Sequence, residues 1–136
     1  MQGKSQNKKI AGCGFHHISI TTQTMEESMH FYRDVLGMPV EKELLIGERR
    51  LVQLNIGDGM LVEVSDPAPE NRELAPSPLP LNHFGLVVDD LKAAVDCVRA
   101  AGYPIAVEPR QITGSINAWL AFVKGPNGES IELMQF

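Results

Sequence analysis

Residues 14–20 read Gly-Phe-His-His-Ile-Ser-Ile, GFHHISI, and a second histidine-led stretch, HFGL at 83–86, lies downstream. Laying His17 over His83 sets HISI over HFGL, brings Met25 near Leu91, and sets GMPV (37–40) over GYPI (102–105). The distance from the histidine to that glycine is 20 residues in the first copy and 19 in the second. Self-similarity of this kind marks an internal repeat and decides how every later element is read. Each copy continues into strand-like runs, RRLVQLNI and GMLVEVS in the first, AWLAFVKG and ESIELMQF in the second. The chain therefore reads as α+β, two tandem copies of one βαβββ unit.

The helices of the two copies carry their own signals. Thr24 and Glu27 have the form of a capping box, and Met25, Ser28, Met29, Tyr32 and Leu36 recur at helical spacing up to Gly37, a C-cap glycine. In the second copy Asp89 or Asp90 is placed to cap a run with Leu91, Ala94, Val95 and Val98 that ends at Gly102. Cys97, within that run, reads as a small apolar packing residue. Between the copies SDPAPENRELAPSPLPL holds five prolines from Pro67 to Pro80. Proline cannot donate to a sheet ladder, so this is an extended connector. The expected organisation is a disordered tail over 1–13 and a single domain over 14–136. Within that domain, module one covers 14–66, the linker 67–80 and module two 81–136.

Bulk properties narrow the function. At 136 residues, 43% hydrophobic and 21% charged, the chain is long enough to bury a core without staples. A net charge of −5 gives no electrostatic reason to bind nucleic acid or an anionic membrane. No apolar run approaches the ~20 residues a membrane span needs. The opening MQGKSQNKKI is polar and lacks the apolar stretch of a secretory leader, which predicts a cytoplasmic protein. Cys13 and Cys97 stand 84 positions apart in no CxxC pattern, consistent with two reduced thiols.

Strand alternation then sorts the polar residues. His17 shares a strand face with Ser19 and Thr21, opposite Ile18 and Ile20. His83 lies opposite Phe84, Leu86 and Val88; Glu63 lies opposite Val62 and Val64; Glu132 lies opposite Ile131 and Leu133. All four occupy equivalent places, the first and last strands of each copy, with Glu63 46 residues after His17 and Glu132 49 after His83. One His or Glu on a half-buried strand is more often hydrogen-bonded than ligating. Four in symmetric positions are hard to obtain by chance, and facing carboxylates are costly to bury without a cation. Two imidazoles and two carboxylates suit a divalent first-row metal with positions left for water or substrate.

Other polar residues read more plainly. His16 falls on the aliphatic side and is expected to hydrogen-bond near the helix layer; His30 is expected to face solvent. Trp119 reads as packing rather than walling a pocket. Arg110 and Gln111 are candidates for holding an anionic substrate, against a plainer reading as a solvated loop. QITGSIN (111–117) has the small polar composition of a mobile lid, and Arg49 and Arg50 read as exposed charge.

The HISI stretch, FYRDVLGM (31–38), the strand ending at Glu63, HFGLVVDD (83–90) and GPNGESIELMQ (125–135) together resemble the vicinal oxygen chelate superfamily over about residues 14–136. That superfamily includes glyoxalase I, methylmalonyl-CoA epimerase, fosfomycin-resistance enzymes, extradiol dioxygenases and bleomycin-resistance proteins. The resemblance implies paired βαβββ modules curled into a cupped half-barrel around a divalent metal (Ni, Co, Zn, Mn or Fe), usually in a homodimer. His17, Glu63, His83 and Glu132 fall on its four ligand positions, a set similar to that of glyoxalase I. It implies a lyase or isomerase moving a proton next to a carbonyl through a metal-chelated enediolate, on a small molecule with vicinal oxygens. Glu132 is the first choice for the catalytic base and Glu63 the second. The alternatives are an epimerase-like enzyme, a thiol-transferring resistance enzyme and a drug-sequestering binding protein. The pattern departs from bacterial glyoxalase I where that enzyme holds glutathione: Thr21 and Pro67 stand in place of an arginine and an asparagine.

Overall fold

The computed structural model describes residues 16–67, 83–114 and 117–136. The chain divides into two compact units, Met1–Glu70 and Asn71–Phe136. The expected tail, Cys13, most of the proline-rich linker and part of the QITGSIN stretch lie outside the described residues.

In the first unit, β1 (His17–Thr21) is followed by α1 (Met25–Met29), a π-helical turn (His30–Val35), β2 (Val40–Ile46), β3 (Arg49–Gly57) and β4 (Met60–Ser65). The sheet order is β1-β4-β3-β2, with β1 parallel to β4 and the other pairs antiparallel. The second unit repeats this plan with β5 (Phe84–Val87), α2 (Leu91–Ala100), β6 (Ile105–Ile112), β7 (Ala118–Lys124) and β8 (Ser130–Gln135). Its order is β5-β8-β7-β6, again with the first strand parallel to the last. The tandem βαβββ reading therefore holds. Its consequence for the site is that the first and last strands of each unit are neighbours.

Of the aliphatic residues identified by alternation, Val62, Val64, Ile131 and Leu133 enter the core, while Ile18, Ile20, Leu86 and Val88 are half-buried. Val62, Val64, Val52 and Leu54 are fully buried in the first unit, with Phe31 and Tyr32 at 0% exposure. In the second, Ile131, Val123 and Ala121 are fully buried and Leu133, Val95 and Val98 nearly so. At about 25 cal/mol per Å² of apolar surface, such positions supply most of the stabilisation of each unit.

The first helix departs from expectation. Only its first turns are α-helical; from His30 the bonds widen, and the Leu36 amide donates to the Phe31 carbonyl at 2.9 Å, five residues back. Apolar spacing reports which residues face the core and does not distinguish a four-residue from a five-residue bond. The capping box is also absent: Thr24 occupies the N-cap without a side-chain bond. Thr22 takes over, its buried hydroxyl accepting from the Thr24 amide at 3.1 Å and from Ser28 Oγ at 2.7 Å. In the second unit Asp90, rather than Asp89, caps α2 by accepting from the Ala93 amide at 3.0 Å. Cys97 is exposed. It lies two positions past the buried Val95, about 200° around the helix and away from the packed side.

Candidate metal centre

The β3–β4 connection sets the register of the first unit. Gly57 pairs with Met60, leaving Asp58 and Gly59 as a two-residue turn with φ of 53° and 76°. Positive φ at both positions is the mirror-image turn whose twist suits a hairpin, and Asp-Gly is a favoured pair for it. A one-residue register shift between Asn55 and Gly57 then places Gln53 on β3, rather than Leu54, directly opposite Glu63 on β4. On the other side of Glu63, β1 runs parallel and puts Ser19 beside it, with His17 one pleat earlier on the same face.

The side chains meet as this register requires. His17 Nε2 lies 3.4 Å from Glu63 Oε1, and Gln53 Nε2 donates to Glu63 Oε2 at 2.7 Å. The carboxylate is 13% exposed and the imidazole 39%. The second unit repeats the offset: Gly85 pairs with Glu132, and His83 stands one pleat earlier. His83 Nε2 is 3.6 Å from Glu132 Oε2, with exposures of 36% and 15%. The residue opposite Glu132 is Phe122, whose ring meets the His83 ring edge-on at a centroid distance of 5.2 Å. Gln53 and Phe122 thus hold corresponding positions with unlike chemistry.

Each unit brings together one imidazole nitrogen and one carboxylate, a donor pair suited to a divalent cation. Within each unit the group stops at two, and no group of three or more His, Cys, Asp or Glu fit to hold an ion forms among the described residues.

The remaining candidates separate. His16 is exposed rather than tucked near the helix layer, and its Nδ1 lies 2.9 Å from His17 Nδ1. It precedes β1 and is turned to the His17 ring rather than to the helix layer. His30 faces solvent as expected, 3.5 Å from Asp34. Arg110 and Gln111 are residues of β6, not of a loop. Arg110 pairs with Leu120 and so shares the face of Phe122 and Glu132, whereas Gln111 pairs with Trp119 on the opposite face. Trp119 is 45% exposed on the α2 side of the sheet, so it is neither core nor site. Arg50 is exposed and 3.7 Å from Glu43. Arg49 is part-buried and structural, donating to the Asp66 carbonyl at 2.8 Å and Ser65 Oγ at 3.0 Å. Sequence reading missed Gln53: counting back from the Asp-Gly turn puts Leu54 opposite Glu63, and only the register shift between Asn55 and Gly57 brings Gln53 there.

The family model of the Glyoxalase/Bleomycin resistance protein/Dioxygenase superfamily matches residues 14–133. A probable lactoylglutathione lyase of Vibrio cholerae is 30% identical over 130 residues, covering 88% of each chain. A probable chloroplastic lactoylglutathione lyase of Arabidopsis thaliana is 25% identical over 125 residues, of whose length the chain spans 35%. Among solved structures, a glyoxalase I mutant of Zea mays superposes with a TM-score of 0.75 at 19% identity, over 90% of this chain and 44% of that one. No helix among the described residues is long and apolar enough to cross a membrane. With its duplicated fold and a family match over nearly its whole length, the chain belongs to the glyoxalase/bleomycin resistance protein/dioxygenase superfamily.

Proposed function

We propose that His17, Glu63, His83 and Glu132 together hold one divalent metal ion, and that the protein is a glyoxalase I-like lyase or isomerase. The observation that carries this reading is the duplicated His–Glu pair, at the same register offset and nearly the same separation in both units. A bound divalent ion would supply Lewis-acid stabilisation of the negative charge that develops on a substrate oxygen. The chain's own residues do the rest. Glu132, whose cross-strand neighbour offers it no hydrogen bond, takes the proton from the carbon beside the carbonyl and returns it to the adjacent carbon. Glu63 remains tied to Gln53.

The substrate is a small molecule with vicinal oxygens and an anionic group. Arg110 lies on the face of Glu132, is exposed, and has no ion pair among the described residues, which suits it to that group. Thr21, on the face of His17, and Pro67 replace the residues of the bacterial glyoxalase I pattern that hold glutathione, so the substrate is an acid other than a glutathione adduct. The active form is a homodimer.

Elemental analysis of protein purified without added metal is expected to find about one equivalent of Ni, Co, Zn, Mn or Fe, lost in His17→Ala. Glu132→Gln is expected to keep some metal and lose turnover by at least about a hundredfold. Unchanged turnover in that variant removes Glu132 as the base. Wild type that takes up no ion, even when one is added back, overturns the metal reading and favours a sequestering protein.

A further inference from the structure

The two His–Glu pairs are alike in their donors and unlike in what surrounds them. In the first unit each member has a polar partner behind it. Gln53 Nε2 reaches the Glu63 oxygen that is not turned toward His17, at 2.7 Å. His16 Nδ1 reaches the His17 nitrogen that is not turned toward Glu63, at 2.9 Å. The two contacts approach the pair from opposite ends, leaving His17 Nε2 and Glu63 Oε1 facing each other across 3.4 Å. In the second unit the residue in the place of Gln53 is Phe122, which packs against the His83 ring and can donate nothing to Glu132.

From this we infer that His16 and Gln53 are positioning residues that orient the first unit's pair, with Glu63 the braced carboxylate of the metal site and Glu132 the one whose cross-strand neighbour cannot brace it. The inference rests on the metal reading above and assigns it a division of labour. A ring nitrogen can offer its lone pair to an ion only when the ring's proton sits on the other nitrogen, so a ligating imidazole needs an acceptor behind it. His16 Nδ1 is that acceptor for His17 Nδ1–H. The same contact works in reverse without an ion. With His16 donating, the His17 proton moves to Nε2 and points at the Glu63 carboxylate, so the ring exchanges tautomers without leaving its place. Gln53 acts on the carboxylate in the same manner. A bond from an amide to one oxygen fixes the plane of the group and leaves the other oxygen aimed. The register shift between Asn55 and Gly57 sets Gln53 opposite Glu63 within the β3–β4 ladder, so the amide is delivered by a paired strand and not by a flexible loop.

The test uses the full-length protein, stripped of metal and titrated with Co(II) chloride against a competing chelator at one pH, with the Co(II) visible spectrum recorded. Gln53→Met keeps the length and loses the donor; Gln53→Asn keeps the amide but falls one carbon short. His16→Phe removes the acceptor, whereas His16→Gln restores one. Gln53→Met, Gln53→Asn and His16→Phe are each expected to weaken Co(II) binding by about tenfold to a hundredfold and to alter the spectrum, with His16→Gln recovering most of the loss. Thermal melts of the metal-free variants separate a lost fold from a lost brace, and either Gln53 variant that folds decides for that residue. Wild-type affinity and spectrum in His16→Phe or in a folded Gln53 variant overturn the inference while leaving the metal reading intact. Wild type that binds no Co(II) at all overturns the metal reading, and the inference falls with it.

Discussion

The Thr22 hydroxyl is 1% exposed as a residue and serves three polar groups: it donates to the Thr24 carbonyl at 2.9 Å and accepts from the Thr24 amide and from Ser28 Oγ. Replacing it with the isosteric valine removes all three of these bonds, although the Thr24 carbonyl keeps the Ser28 amide. Thr22→Val is expected to destabilise the chain by about 1–3 kcal/mol. Thr24→Ala, at the nominal cap position, is expected to cost less than about 0.5 kcal/mol, because its side chain makes no capping bond. Urea titration of both variants checks the pair, and a larger loss in Thr24→Ala would show that the cap is made in solution. The motif at Thr24 and Glu27 was legible and misleading, because the Thr22 hydroxyl takes the Thr24 amide that Glu27 would take in a capping box. The site donors were more legible. His17, Glu63, His83 and Glu132 stand where alternation places them, since each sits opposite a purely aliphatic pair that only a core can use. His16 was not legible, because its contact is with the neighbouring His17 ring and not with the helix layer that alternation pointed to.

α2 shows what an element can carry in its ends. Asp90 accepts from the Ala93 amide at the start, and at the finish the Gly102 amide bonds the Arg99 carbonyl at 2.9 Å and the Tyr103 amide the Val98 carbonyl at 3.3 Å. Gly102 has φ of 89° with nothing within 4 Å of where a Cβ would stand, so a substitution there is costly through the backbone alone. Asp90→Ala and Gly102→Ala are each expected to cost about 1 kcal/mol. Ten residues separate the two ends, so the double variant should lose the sum. Chemical denaturation of the three variants measures this; a double variant no worse than either single one would mean that α2 is already frayed at both ends. These ends were readable because capping aspartate and closing glycine have local causes. The plainer reading of Arg110 and Gln111 as a loop fails for the opposite reason. Pro109 argues against a strand, yet β6 is an edge strand with register shifts between Val107 and Arg110, and an edge with a bulge tolerates proline. That continuation carries Arg110 onto the face of Glu132.

At the scale of the whole chain, duplication makes a demand that neither unit meets alone. A βαβββ unit with its first strand parallel to its last places one histidine diagonally across from one glutamate, and the same offset recurs because the same topology recurs. Alignment of the two copies made this visible in the sequence, while the Gln53–Phe122 difference stayed hidden because it depends on which residue of β3 or β7 faces the glutamate. Two donors on an open sheet face make a poor site for a divalent ion, which takes four or more ligands. On the proposed reading the two pairs therefore serve one ion, and their contributions are not additive. His17→Ala and His83→Ala should each abolish stoichiometric metal binding, and the double variant should be no worse than either single one. If instead each pair held an ion of its own, wild type would carry two equivalents, each single variant one, and the double variant none. Metal content per chain, measured after equilibrium dialysis against a fixed Co(II) concentration, separates the two patterns. Only the first is compatible with a proton transfer in which Glu63 stays tied to Gln53 in one module while Glu132 of the other carries the proton.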